Sequence, residues 1–214
     1  MRDGNRFALL TMALTVALAS TTLALTGCGS DDSSGDGGAG GVGGTGGSGG
    51  AGGEAPAEPT CEAYCALLDD NCTGDLAVYP TAETCVAACA AFPVGDIADV
   101  SGNTLGCRQY HAGAAAGDAA THCPHAGPGG SGYCGADCES FCTLAGSICP
   151  GAYEDEATCL TACEGYATTP PYNANQKTGD TIECRLYHVS VASLDDVHCG
   201  HIGTEPPAGT CTNE

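Results

Sequence analysis

The run Cys61-Glu-Ala-Tyr-Cys65-Ala-Leu-Leu, followed by Thr84-Cys85-Val-Ala-Ala-Cys89, decides the fold. In each run two cysteines are separated by three residues. On a helix this spacing puts both sulfurs on one face. Thr60 stands where an N-cap belongs, and Pro80-Thr81 supplies a start signal for the second helix. Two antiparallel helices that each present a pair of sulfurs can be joined by two nested bridges. The spacing therefore predicts Cys61–Cys89 with Cys65–Cys85.

The same pattern occurs again downstream. Cys138-Glu-Ser-Phe-Cys142-Thr-Leu-Ala matches the first run and Thr158-Cys159-Leu-Thr-Ala-Cys163 the second, with Asp137 and Asp155-Glu156 as start signals. This predicts Cys138–Cys163 with Cys142–Cys159. Beyond the hairpins the repeat continues. Cys61, Cys65, Cys72, Cys85, Cys89, Cys107, Cys123 and Cys134 form one set; Cys138, Cys142, Cys149, Cys159, Cys163, Cys184, Cys199 and Cys211 form the other. Of the 17 cysteines, 16 fall into these two sets, and the last is Cys28. An even set per module points to a disulfide framework with no free thiol. The four cysteines of each module outside the hairpin allow three pairings, which the sequence does not rank. Zinc-type C-x2-C pairs are absent.

The nested arrangement resembles the twin C-x3-C helical hairpins of small mitochondrial chaperones and plant hairpin peptides. The likeness covers the hairpins alone and implies geometry, not function. The expected fold is mainly α, small and disulfide-rich, with two tandem helical-hairpin modules of about 75 residues at 61–134 and 135–214, after a disordered Gly-rich linker. Modules this small hold few large apolar side chains, so the bridges must supply much of the stability.

Arg2 and Arg6 precede an uncharged run from Phe7 to Leu25, the layout of an export signal. It ends in Leu25-Thr26-Gly27-Cys28, which resembles a bacterial lipobox. The resemblance implies cleavage after residue 27, lipid on Cys28 and a membrane held through that lipid. Gly29 is the kind of residue that permits sorting to the outer membrane. The expected location is the cell envelope, with the modules outside the cytoplasm, at the outer membrane or cell surface. Residues 29–60 hold 14 Gly in 32 positions and one Val as the only sizeable apolar side chain. Such a stretch cannot bury enough surface to offset its ordering entropy, so 28–60 reads as the lipidated Cys and a flexible tether.

Charge excludes one partner class. The chain carries 26 acidic against five basic side chains, a formal charge of −21, which is the wrong sign for binding nucleic acid. Recognisable catalytic motifs (G-x-S-x-G, H-E-x-x-H, a P-loop) are missing. Asp69-Asp70, Glu154-Asp155-Glu156 and Asp195-Asp196 lack calcium-loop spacing and read as solvated faces.

A third matched segment carries the sharpest chemistry. Asn103-Thr-Leu-Gly-Cys107-Arg-Gln-Tyr-His111 matches Asp180-Thr-Ile-Glu-Cys184-Arg-Leu-Tyr-His188, and Asp180 with Glu183 forms a capping pair on the capping-box pattern. His122-Cys-Pro-His125 and His198-Cys-Gly-His201 lie downstream of them. All six histidines thus fall in two triplets: His111, His122, His125 and His188, His198, His201. The plainer reading is structural, each imidazole holding a carbonyl near a disulfide, with Arg108 and Arg185 pairing a carboxylate. The sharper reading is a Cu or Zn site, since imidazole suits both metals and three ligands leave a position open. No cofactor is required by the sequence. The leading expectation is a non-enzymatic binding or structural surface protein for an extracytoplasmic ligand or protein. The alternative is a metal-binding or redox protein using one His triplet per module.

Overall fold

The computed structural model describes residues 58–212. The lipobox cysteine Cys28 and the tether up to residue 57 lie outside the described residues. Within them, every regular element is helical. Helices α1 (Cys61–Asn71), α2 (Ala82–Cys89), α3 (Leu105–Ala114) and α4 (Ala119–Ala126) make the first half. Helices α5 (Asp137–Ile148), α6 (Glu156–Cys163) and α7 (Ile182–Ala192), with the 3₁₀ segment Asp196–His201, make the second. No helix among the described residues is long and apolar enough to cross a membrane.

Local sequence explains most starts. Thr60, Thr81, Thr104, Asp118, Asp155 and Thr181 each accept a backbone N–H from the first turn of the adjoining helix. Two expected caps are corrected. Asp137 is not the cap of α5: Ala136 holds that place, its N–H donating to Glu139, while the Asp137 carboxylate accepts from the Ser131 N–H at 3.2 Å. Asp180 and Glu183 do not cap α7, because Thr181 does so through Cys184 N–H at 3.1 Å. Asp180 instead pairs with Arg185 at 2.8 Å. Glu183 is buried and accepts both the N–H and the hydroxyl of Thr169.

Eight disulfides hold the halves. The four expected hairpin pairs come together: Cys61–Cys89, Cys65–Cys85, Cys138–Cys163 and Cys142–Cys159. The structure also chooses among the pairings the sequence left open. Cys72 joins Cys123 and Cys107 joins Cys134; Cys149 joins Cys199 and Cys184 joins Cys211. The loops closed span separations of 17 to 51 residues, for which loop-closure entropy gives about 3–4 kcal/mol per bridge. The Cys72–Cys123 and Cys149–Cys199 bridges have a further consequence: they tie each hairpin to the segment that carries two histidines.

All eight bridges stay within one half, yet the halves meet. Helix α2 packs on α7, Ala174 N–H donates to Ala77 O at 2.7 Å, and Asn103 donates to Thr143 at 3.0 Å. The buried apolar cluster runs through both halves, from Tyr64 and Leu68 to Leu186 and Ile202.

Two buried arginines brace this core at matching places. Arg108 lies over the Phe92 ring at 3.8 Å and Arg185 over the Tyr166 ring at 3.4 Å. The expectation that both pair a carboxylate fits Arg185 alone. Arg108 donates to the carbonyls of Thr104, Gly127 and Pro128 and to the Ser140 hydroxyl across the halves. Carbonyl dipoles there do the work of a counter-ion. The acidic runs Asp69-Asp70, Glu154-Asp155-Glu156 and Asp195-Asp196 are exposed, as a solvated face requires.

Candidate functional site

The third cysteine segment builds the site from its helix outward. In α3, Cys107 and His111 are one turn apart, so the bridge to Cys134 and the imidazole share a face. His122 and His125, three apart on α4, also share a face. In the second half the equivalent pair sits on a 3₁₀ segment, where residues three apart eclipse. His198 and His201 therefore stack on one side as well. The Cys72–Cys123 and Cys149–Cys199 bridges fix the middle residue of each H-C-x-H run, and the flanking histidines turn toward α3 and α7.

The outcome is two matching triads. His111 Nδ1 lies 2.9 Å from His122 Nδ1, and the His125 ring centroid lies 4.9 Å from that of His111. In the second half, His188 Nδ1 lies 3.0 Å from His198 Nδ1 and 3.1 Å from His201 Nδ1. In each triad one nitrogen per ring falls within 4.8 Å of the others. His111 and His188 are buried, and the other four histidines are half-buried. All six candidate histidines are thus brought into the two groups that the spacing suggested.

A main-chain carbonyl sets the tautomer of each buried imidazole. His111 Nε2 faces Val100 O at 3.2 Å and His188 Nε2 faces Lys177 O at 3.1 Å. A carbonyl only accepts, so Nε2 carries the proton and Nδ1 presents a bare lone pair. A carbonyl behind a ligating imidazole is the usual support for metal-bound histidine.

Hydrogen bonding alone does not satisfy what Nδ1 meets. An sp² ring nitrogen has one in-plane lone pair, and His188 Nδ1 has two nitrogens converging on it. In the first half, His125 Nδ1 is buried with no hydrogen-bond partner. One cation at the convergence point would satisfy all three nitrogens in either triad. Bonds of 2.0–2.1 Å in tetrahedral geometry would set the nitrogens about 3.3 Å apart, a few tenths beyond the spacing of His111 from His122 and of His188 from its two partners.

The electrostatics suit a neutral, ligating form. Burial first, and the neighbouring imidazoles after it, push the basicity of His125 and His201 below the usual imidazole value. His111 is likewise lowered, first by burial and then by His122, against a raising effect of the Val100 carbonyl. For His188 the same causes bring the value down to about 4. Neutral imidazole is the form that binds metal. The bridges Cys107–Cys134 and Cys184–Cys211 abut His111 and His188, and as disulfides their sulfurs are not thiolate ligands.

Several positioning groups escaped the sequence reading. The carbonyls of Val100 and Lys177 have no sequence signature. Gly106 lets the loop before α3 lie against its first turn, since a Cβ there would overlap the Asp96 carbonyl. That contact carries Val100 to His111. At the matching place Glu183 binds Thr169 instead. A buried tyrosine in the first half and a partly buried one in the second hold the carbonyl just after each last histidine. Tyr64 OH donates to Ala126 O at 2.6 Å, and Tyr153 OH donates to Ile202 O at 2.5 Å. These tyrosines are not equivalent in the repeat. Phe141 stands where Tyr64 does, so the second half moves the hydroxyl to another position.

Two comparisons with known proteins found matches. Residues 54–138 match the family described as the BfoA family C-terminal domain, a range that contains His111, His122 and His125. Aurasperone B biosynthesis cluster protein A of Aspergillus niger is 39% identical over 71 residues, 33% of this chain and 23% of that protein. Bifonsecin B biosynthesis cluster protein A of Aspergillus brasiliensis is 39% identical over 71 residues, 33% of this chain and 24% of its own length. The chain thus spans about a quarter of the curated relatives it matches. No solved structure matches the chain. Over its first repeat, then, this protein is similar to the C-terminal domain of the BfoA family.

Proposed function

We propose that this protein binds two transition-metal ions, one on each histidine triad, outside the cytoplasm. Copper and zinc are the candidates, because a set of three neutral imidazoles suits both. The observation that carries the reading is the gathering of one nitrogen from each of three imidazoles within 4.8 Å in both halves, with Nε2 of the buried histidine turned to a carbonyl. The sequence alone favours histidines as scaffold; the orphaned His125 Nδ1 favours a ligand role. Each triad holds and orients the ion and leaves coordination positions for a further ligand. With copper the sites would add electron transfer; with zinc they would be purely binding.

The N-terminal sequence supports the setting of this reading. A lipobox-like end at Cys28 and a Gly-rich tether fit a lipid-anchored protein displayed from the cell envelope. A non-enzymatic binding role for a protein or small ligand accords with the absence of known catalytic motifs. The relatives are named as biosynthesis cluster proteins, which adds neither an anchor nor a substrate here.

The test is metal content. The chain is exported into an oxidising compartment, purified without chelator or histidine tag, and assayed after exposure to Cu²⁺ and Zn²⁺. Two tightly held ions per chain, falling to one in His111→Ala and none in His111→Ala/His188→Ala, support the reading. A folded protein that retains no ion, together with variants that merely melt earlier, returns the histidines to a structural role.

A further inference from the structure

The two triads match closely, but their outer walls do not. The residue whose carbonyl supports the buried histidine is Val100 in the first half and Lys177 in the second. The residue before the last cysteine is Tyr133 in the first half and Thr210 in the second. Equivalent main-chain bonds, Gly102 N–H to Tyr133 O and Gly179 N–H to Thr210 O, fix that correspondence. Tyr133 stacks on His125 with ring centroids 3.9 Å apart and lies 5.9 Å from His111. Tyr110 stands edge-on to His111 at 5.1 Å. Val100, Tyr110 and Tyr133 are all about half exposed, at 54%, 48% and 56%. Two tyrosine rings left half in water against one histidine cluster mark a contact surface, where a scattered one would mean nothing. At the second triad Tyr187 likewise stands edge-on to His188 at 5.1 Å, but it is partly buried and has Lys177 Nζ 5.4 Å from its ring centre, and no aromatic ring takes the place of Tyr133.

We propose that the first triad, through its metal ion, binds a planar aromatic ligand with a phenolic oxygen donor, of the catechol class, and that the second triad does not share this preference. This rests on the metal reading above. Three neutral imidazoles leave a divalent ion with its full charge and with open positions, which an oxygen anion satisfies. Among the described residues no carboxylate joins either triad to supply it. The chain's charge of −21 repels ligands that are already anionic in solution. A phenol is neutral there and loses its proton to solvent only on coordination, where the ion stabilises the phenolate. Its ring then has Tyr133 to stack against, with Tyr110 also at the cluster. The lysine and threonine at the second triad offer no such wall.

The test uses Zn²⁺, which has no redox chemistry to oxidise the probe, and catechol, a phenol that is neutral in solution at neutral pH and whose ultraviolet absorbance shifts when its phenolate is bound. His198→Ala/His201→Ala leaves the first triad intact; His122→Ala/His125→Ala leaves the second. The first-triad protein should bind catechol about tenfold more tightly than the second-triad protein, the scale of one stacked aromatic pair. Tyr133→Thr, which puts the second triad's residue at the first, should remove that advantage when affinity is taken per bound zinc. Acetate, an oxygen donor without a ring, should show no preference between triads. Equal catechol affinity at both triads, or an unaltered affinity in the Tyr133→Thr protein, overturns this inference while leaving the metal reading standing. Failure of either triad to retain zinc or copper overturns both.

Discussion

His188 turns Nε2 to the Lys177 carbonyl at 3.1 Å, and its Nδ1 is thereby the bare nitrogen that faces His198 and His201. Metal affinity in the second half should depend on this residue more than on its two partners, which are more exposed. His188→Gln should drop the bound metal from two ions to one per chain, with the first triad unaffected. Metal-to-protein ratios of the two proteins, measured after gel filtration, check this; loss of both ions would mean the triads are not independent.

Acid should destabilise the metal-free protein. An unfolded imidazole titrates near 6.5, whereas the folded value of His188 is about 4 and those of His111, His125 and His201 are also lowered. Between these values the unfolded chain takes up protons that the folded chain refuses. Stability is therefore full above about pH 6.5 and declines as pH falls toward the folded values. Thermal midpoints in chelator from pH 8 to pH 4 should be level at first and then fall; a flat profile across the acid range would contradict the burial of these rings.

Arg108 should matter for stability out of proportion to its charge. Its guanidinium serves three carbonyls and Ser140 in a fully buried place over Phe92. Arg108→Met leaves those acceptors without donors and should cost about 3 kcal/mol, read as a shift in urea midpoint. A loss under about 0.5 kcal/mol, the range of ordinary surface changes, would show that water replaces the guanidinium.

Tyr64→Phe removes the donor to Ala126 O, directly after His125. The unpaired buried carbonyl should cost about 1–2 kcal/mol and weaken metal at the first triad only. Phe141, at the equivalent position of the second half, has no hydroxyl to lose, so Phe141→Leu should perturb packing without that selective effect on the second triad. Metal competition titrations on both variants check the contrast.

Alkylation of the unreduced protein should find no reactive thiol between Cys61 and Cys211, since all 16 cysteines there are paired. Mass spectrometry after mild proteolysis should return Cys72 with Cys123 and Cys149 with Cys199. Peptides joining Cys72 to Cys107 instead would break the link that carries His122 and His125 to α3.

Sequence spacing by itself determined the helical hairpins and their nested bridges, because C-x3-C and a threonine or aspartate cap are local signals set by helix geometry. It also grouped the six histidines into two triplets. The bridges Cys72–Cys123 and Cys107–Cys134 were not legible, since partners 51 and 27 residues apart are chosen by how the helices pack. Asp137 and Asp180 were misread as caps for a related reason: a carboxylate near a helix start goes to the stronger partner that tertiary structure offers, here the Ser131 N–H and Arg185. Only the tertiary structure decided that one nitrogen of each buried imidazole meets a carbonyl while the other meets a partner imidazole, His122 for His111 and both His198 and His201 for His188. Main-chain carbonyls look the same at every position of a sequence, and their direction is fixed only when loop 93–103 folds onto Gly106 and loop 165–180 onto Glu183.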